Sequence, residues 1–362
     1  MYRSAVSWCL AAVVLCSLCS ACRCFEHKQP GQTPPPANVD LATLATARSF
    51  LSESTRIDTT EHFVILHETG TNYVPGTGRT LEQAHARFYG AFSKAGFELT
   101  RSADRLVWIC FSQQSKFNAY AVQVEGTDLS WLDGYYSTLT NRVAVVEPSP
   151  RVSGYDRAAV ERSEPGGGRN SGTGRQGHEE VLPMSTDESQ VDIARLTHEL
   201  AHQLAFNSGL QRRGVMYPFW VSEGLATNFE FEGLSGTGFE KCTTARRDCL
   251  VQTHAAGQLV PLAEFVVQTT VPSSVAQSRR YYAQAWAFFQ YLLTERSGDL
   301  RSYLHQVATL PAGRHEATVL LREFTNVFGS PEAMECSWGT FLDRQVRLAR
   351  IADTAVWTNG PE

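Results

Sequence analysis

The run Thr197-His198-Glu199-Leu200-Ala201-His202-Gln203 limits the folds open to this chain. It sits in an apolar frame of Leu196, Leu200, Ala201, Leu204 and Phe206. Such a run is expected to form a buried helix, on which positions i and i+4 share a face. His198 and His202 then present ring nitrogens to one point, the spacing of two ligands of a single tetrahedral ion. Glu199 lies one position on from His198 and can reach a water at that point without joining the ligand set, as a general base does. A pair of surface histidines on an amphipathic helix is the plainer alternative, and the apolar frame argues against it.

A catalytic zinc ion takes three protein ligands and keeps one position open. The candidate third ligand is Glu223 in Phe219-Trp220-Val221-Ser222-Glu223-Gly224-Leu225-Ala226, on the next expected helix and past a turn containing Gly209 and Gly214. Two antiparallel helices joined by that turn can set Glu223 opposite the histidine pair. Taken alone, a Glu near a helix start is usually a capping or dipole-stabilising group. The upstream motif makes the ligand reading the favoured one. Thr227, four residues on, or Asn228 is a candidate for orienting a ligand histidine.

The 362 residues, 43 % hydrophobic, are enough for a sizeable core. With 19 % charged residues and a net charge of −5, the chain has no basic stripe for nucleic acid. Residues 1–21 read as an export signal: Arg3, an apolar run from Ala5 to Leu18, then small residues. That run is short for a transmembrane helix. Ser20-Ala21-Cys22 resembles the end of a bacterial lipobox, so Cys22 is a candidate for lipidation and a membrane tether. Cleavage after Ala21 by an ordinary signal peptidase fits as well. Residues 22–38, with Pro30, Pro34, Pro35 and Pro36, read as a stiff tether. Of the nine cysteines, Cys9, Cys16 and Cys19 fall in the signal. In an oxidising compartment Cys242 and Cys249 could close a small loop or stay as two free thiols, and Cys110 with Cys336 is a second possible pair with no further support in the sequence.

Residues 39–352 read as a single domain in three parts. In the α/β part, 39–147, Ala42 to Ser52 reads as a helix and Glu61 to His67 as a strand. Leu81 to Ala95 has helical spacing, Leu106 to Phe111 is strand-like, and Gln113 to Tyr120 is a short helix. Gly134-Tyr135-Tyr136, a Thr-Asn turn signal and Arg142 to Glu147 read as a strand or hairpin. Residues 148–189, with Gly166-Gly167-Gly168 and few aromatics, read as a flexible insertion. Residues 190–352 carry helical periodicity over Val191 to Ser208, Tyr217 to Phe231, Ser278 to Arg296, Leu300 to Thr309, Glu316 to Val327 and Pro331 to Ile351. This is an α+β plan: a mixed N-terminal sheet, an active-site helix and a helical C-terminal half.

His-Glu-Leu-Ala-His followed by Trp-Val-Ser-Glu-Gly-Leu-Ala resembles the gluzincins, the thermolysin and aminopeptidase-like clan of zinc metallopeptidases. The resemblance is closer still to a poorly characterised bacterial family of predicted secreted gluzincins. It covers scattered motifs from Glu61 to Arg296, strongest from Leu196 to Ala226, and the spacer Gln203 to Ser222 is a little longer than in the best-known members. It implies a gluzincin-like fold, one Zn2+ ion, and Glu223 as third ligand. In Tyr281-Tyr282-Ala283-Gln284-Ala285-Trp286 it implies a Tyr that donates to the oxyanion of the attacked carbonyl. Tyr282 suits that spacing better than Tyr281; an aromatic packing stripe with Trp286 and Phe289 is the rival. It also implies that substrate adds as a strand along an edge strand, for which Arg142 to Glu147 is the candidate, with a plain core strand as the alternative.

The expected function is zinc-dependent hydrolysis of peptide or protein substrates by a secreted or lipid-anchored enzyme of the bacterial cell envelope. A non-proteolytic zinc-containing surface protein that binds peptide or cell-wall ligands is the alternative, and a scaffold without metal is a third. The intact Glu199 favours the enzyme. Other histidine features read as isolated: His62, His85, His254, His305 and His315, and also His67-Glu68 and His178-Glu179-Glu180, which lack a second His four positions on.

Overall fold

The structure is a computed structural model that describes residues 41–52, 55–68, 73–147, 188–230, 243–272 and 274–358. The expected signal, the tether and nearly all of the expected insertion lie outside the described residues, as do Cys22, Cys242 and His178.

The fold is α+β, as expected. Helix α1 (Leu41–Phe50) leads into strands β1 (Arg56–Thr59) and β2 (Phe63–His67), then helix α2 (Tyr73–Lys94). Strand β3 (Leu106–Phe111) and helix α3 (Gln114–Glu125) precede the hairpin β4 (Gly134–Ser137) and β5 (Arg142–Val146). The strands form one mixed sheet in the order β1-β2-β3-β5-β4. The three central strands run parallel, while β1 and β4 are antiparallel to their neighbours.

The period-2 alternation of the strands divides the core into two layers. Phe63, Ile65, Leu106, Trp108, Cys110, Tyr136, Val143 and Val145 face the large cluster that includes α2 and the C-terminal helices. Val64, Leu66, Ile109, Phe111, Tyr135, Ala144 and Val146 face the smaller cluster with α1 and α3. Both faces of the central strands are covered, which accounts for their continuous apolar runs.

The C-terminal half comprises α4 (Glu188–Asn207), α5 (Phe219–Thr227), α6 (Thr243–Ala255), α7 (Leu262–Phe265), α8 (Val275–Glu295), α9 (Ser297–Ala308), α10 (Ala317–Phe328) and α11 (Pro331–Thr358). Helix α4 starts at Glu188, so it takes the last two residues of the expected insertion. Helix α5 is shorter at both ends than the expected Tyr217 to Phe231, because Pro218 starts it and Asn228 caps it. Among the described residues no helix is long and apolar enough to cross a membrane.

Several expectations are corrected. Arg142 to Glu147 is not at the edge of the sheet: β5 lies between β3 and β4, and β4 is the edge strand on that side. Cys110 is buried on β3 and Cys336 is exposed on α11, and neither forms a disulfide. Cys249 is a free thiol, one of the two states expected for it.

Candidate metal centre

Helix α4 is docked on the sheet through Gln203, whose Oε1 accepts from Trp108 Nε1 at 2.9 Å and whose Nε2 donates to Asn141 O at 3.1 Å. Asn141 closes the β4–β5 turn at φ 57°, a left-handed conformation that Asn tolerates better than most residues. Buried Arg195 adds a second tie, donating to Val146 O and lying 3.9 Å from Asp133. One face of α4 is thereby held against β4 and β5.

The loop after α4 reverses the chain at Gly209 (φ 84°) and Gly214 (φ 85°), both in the region that favours glycine. Helix α5 then crosses α8 at very close range. A Cβ on Gly224 would stand 2.6 Å from Ala285 O and 2.9 Å from Phe289 Cβ, so only glycine fits. Asn228 Nδ2 donates to Trp286 O at 2.9 Å and secures the same crossing. This packing seats Glu223, the residue before Gly224, at complete burial.

His198, His202 and Glu223 converge into a buried group that could hold a metal ion. The two Nε2 atoms are 3.2 Å apart. Glu223 Oε2 lies 3.4 Å from His198 Nε2, and Glu223 Oε1 lies 3.6 Å from His202 Nε2. A tetrahedral ion with bonds of about 2.1 Å has ligand–ligand edges of about 3.4 Å; the two imidazole nitrogens lie close to that spacing, and each is near it from one of the two Glu223 oxygens. Burial, and then the neighbouring His198, hold the pKa of His202 well below its ordinary value, which leaves the imidazole neutral as a ligand must be.

Glu230, on the chain just past α5, is a residue that sequence reasoning missed. Its Oε1 lies 2.9 Å from His198 Nδ1, and Arg246 of α6 donates to both of its carboxylate oxygens. Burial opposes ionisation of Glu230, but Arg246 and His198 outweigh it and its pKa lies below the ordinary value. As an acceptor-only carboxylate it requires His198 Nδ1 to carry the proton, which turns Nε2 toward the metal group. Seven residues after Glu223, in a run that also contains Glu232, nothing in the sequence singles Glu230 out. Thr227 and Asn228, expected as orienting groups, instead bond backbone carbonyls: Thr227 Oγ1 that of Glu223, and Asn228 Nδ2 that of Gly224.

Glu199 is buried beside the three donors, and its Oε2 accepts from the main-chain N–H of Tyr136 on β4 at 2.8 Å. Burial pushes its pKa up to about 7; the Glu223 carboxylate adds to the rise, while His198, Tyr136 N–H and Arg195 act against it. A carboxylate with such a pKa can take and release a proton near neutral pH.

Tyr282 on α8 is 3 % exposed, packs edge-on against Phe219 and has the Arg246 guanidinium over its ring at 5.7 Å. Its hydroxyl is buried without a hydrogen-bond partner among the described residues. Tyr281, next to it, is partly buried against Phe219 and Phe265. Tyr282 is therefore tied to the metal group through Arg246 and Glu230.

The family model described as "Protein of unknown function (DUF1570)" matches residues 192–312, which span α4, α5 and the Tyr282 helix. No curated protein matches the chain.

Proposed function

We propose that this chain is an exported zinc-dependent peptidase of gluzincin type. The observation that carries this reading is the buried triangle of His198, His202 and Glu223, with donors 3.2–3.6 Å apart and Glu199 at its side. Two imidazoles and a carboxylate are a donor set suited to zinc, and the presence of a base beside them favours catalysis over a structural ion.

Bound there, zinc would supply Lewis acidity, activating a water and polarising a substrate carbonyl. Glu199 takes a proton from the attacking water onto its carboxylate and passes it to the leaving amine. Its raised pKa suits both transfers, and the Tyr136 N–H holds it in place. Glu230 keeps the His198 proton on Nδ1, and Arg246 keeps Glu230 charged. The unpartnered Tyr282 hydroxyl is the available donor for the developing oxyanion, a role worth on the order of 3 kcal/mol.

The substrate backbone lies along β4, the edge strand, rather than along β5. Among the described residues β4 pairs with β5 alone, and it contacts the site directly through Tyr136. Exposed Trp131 and Leu139 flank it in sequence and would favour apolar substrate side chains. Export, and tethering through a lipidated Cys22, belong to the same proposal.

A peptide-library digest read by mass spectrometry, with zinc-loaded wild type beside Glu199→Gln, tests this function. Cleavages made by wild type and absent from the variant are the expected result. Zinc retained by both proteins with no cleavage by either would sink the peptidase reading and favour a zinc-containing protein that binds peptide or cell-wall ligands.

A further inference from the structure

We propose a second metal site, for zinc or a similar imidazole-binding divalent cation, formed by His62, Glu82 and His85. His62 and His85 read as isolated in the sequence, yet the fold brings them together. His62 immediately precedes β2, while Glu82 and His85 lie one turn apart on α2, and one ligand atom from each residue lies within 4.8 Å of the others. Glu82 holds His62 twice: Oε1 accepts from the main-chain N–H at 2.8 Å, and Oε2 lies 2.7 Å from Nδ1. The two imidazoles are stacked, with centroids 3.8 Å apart and 24° between planes.

The chemistry of the set points to a cation. Two histidines and a carboxylate are again the ligands that suit zinc, copper or nickel. His85 is 4 % exposed and contacts the rings of Phe63, His62 and Tyr89, but it makes no hydrogen bond among the described residues. A buried imidazole without a hydrogen-bond partner has unused ligand capacity. Glu61, 3.8 Å from His62 Nε2, adds negative charge at the rim, and Arg101, whose guanidinium lies over the Tyr89 ring, adds the opposing charge.

Ligation of one ion by both rings requires the stack to open, because nearly parallel rings do not aim their lone pairs at a common point. His62 is the ring with room to turn, its side chain being 26 % exposed, whereas His85 and Glu82 share one face of α2 and stay in place. The donor atoms already lie within 4.8 Å of one another, so the roughly 3.4 Å spacing of a tetrahedral site is within reach of a side-chain rotation. The ion would staple the start of β2 to α2, with water completing its coordination. Strands β2 and β4 are three positions apart in the sheet, about 14 Å, so this site cannot share the ion of the His198 group.

The test is metal stoichiometry on the full chain, by equilibrium dialysis against Zn2+ followed by elemental analysis, with Co2+ absorption as a second readout. Wild type is expected to bind about two ions, and His198→Ala/His202→Ala, His85→Ala and His62→Ala about one each. His62→Ala alters a partly exposed side chain and keeps the test decisive if His85→Ala does not fold. The Co2+ spectrum of the His198→Ala/His202→Ala variant should vanish when His62→Ala is added. One ion in wild type, lost in His198→Ala/His202→Ala and unchanged in His62→Ala, would overturn the second site and leave the proposed catalytic site standing. One ion in wild type, lost only with His62 or His85, would support the second site and defeat the peptidase reading.

Discussion

His198 Nδ1 and Glu230 Oε1 lie 2.9 Å apart, and the same Glu230 is gripped through both oxygens by Arg246. A charged acceptor on one ring nitrogen directs the other toward the metal group. Glu230→Ala should therefore weaken zinc binding by about 10- to 100-fold, and Arg246→Ala should act in the same direction with a smaller effect. Competition with a chromophoric chelator measures both. Unchanged affinity in Glu230→Ala would contradict the orienting role.

Glu199→Gln keeps the size and shape of the side chain and removes the proton acceptor. Zinc content should stay at the wild-type level, while peptide cleavage falls by about 10²- to 10⁴-fold. Elemental analysis and a fluorogenic peptide assay on the same preparation read the two effects separately. Loss of zinc together with activity would make Glu199 a structural residue instead of the base.

Gly224→Ala places a methyl group 2.6 Å from Ala285 O, where α5 and α8 have no room to separate without moving Glu223. The expected cost is about 1–3 kcal/mol. Urea unfolding, compared at constant slope, measures it. A variant as stable as wild type would mean that α5 and α8 can separate enough to admit a methyl group.

Glu68, buried at the end of β2, accepts from Ser112 N–H, Ser112 Oγ, Ser52 N–H and the Lys116 ammonium. Burial opposes ionisation, but these donors outweigh it and lower the pKa from 4.5 to about 2. A depressed carboxylate pKa stabilises the fold above its unfolded value and loses that contribution as pH falls from 4.5 toward 2. Glu68→Gln should thus be destabilised at pH 7, on the order of 2 kcal/mol, with the difference shrinking below pH 4. Equal differences at pH 7 and pH 3, by denaturant titration, would exclude this linkage.

Local patterns were legible where neighbouring residues decide the outcome. Leu106–Phe111 is a strand at its expected bounds because its alternating residues fill both core layers. The histidine pair was legible because helical spacing alone places His198 and His202 on one face. Strand β1, Arg-Ile-Asp-Thr, has no apolar run and is largely exposed; its pairing with β2 makes it a strand. Helix α6, Thr-Thr-Ala-Arg-Arg-Asp-Cys, lacks a clear apolar stripe, so neither it nor the role of Arg246 was foreseen. Which strand lies at the edge depends on long-range pairing, and that order put β4 instead of β5 beside Glu199. Glu230 and the His62–Glu82–His85 group meet their partners only through tertiary packing, 32 residues apart for Glu230 and His198 and 20 for His62 and Glu82.

Anomalous diffraction at the zinc edge, on crystals grown with zinc, decides whether one zinc ion is held by His198, His202 and Glu223. The expected result is a peak about 2.0–2.2 Å from both Nε2 atoms and from a Glu223 carboxylate oxygen, with Glu199 outside the ligand set. A fully zinc-loaded crystal with no peak among these three residues would contradict it.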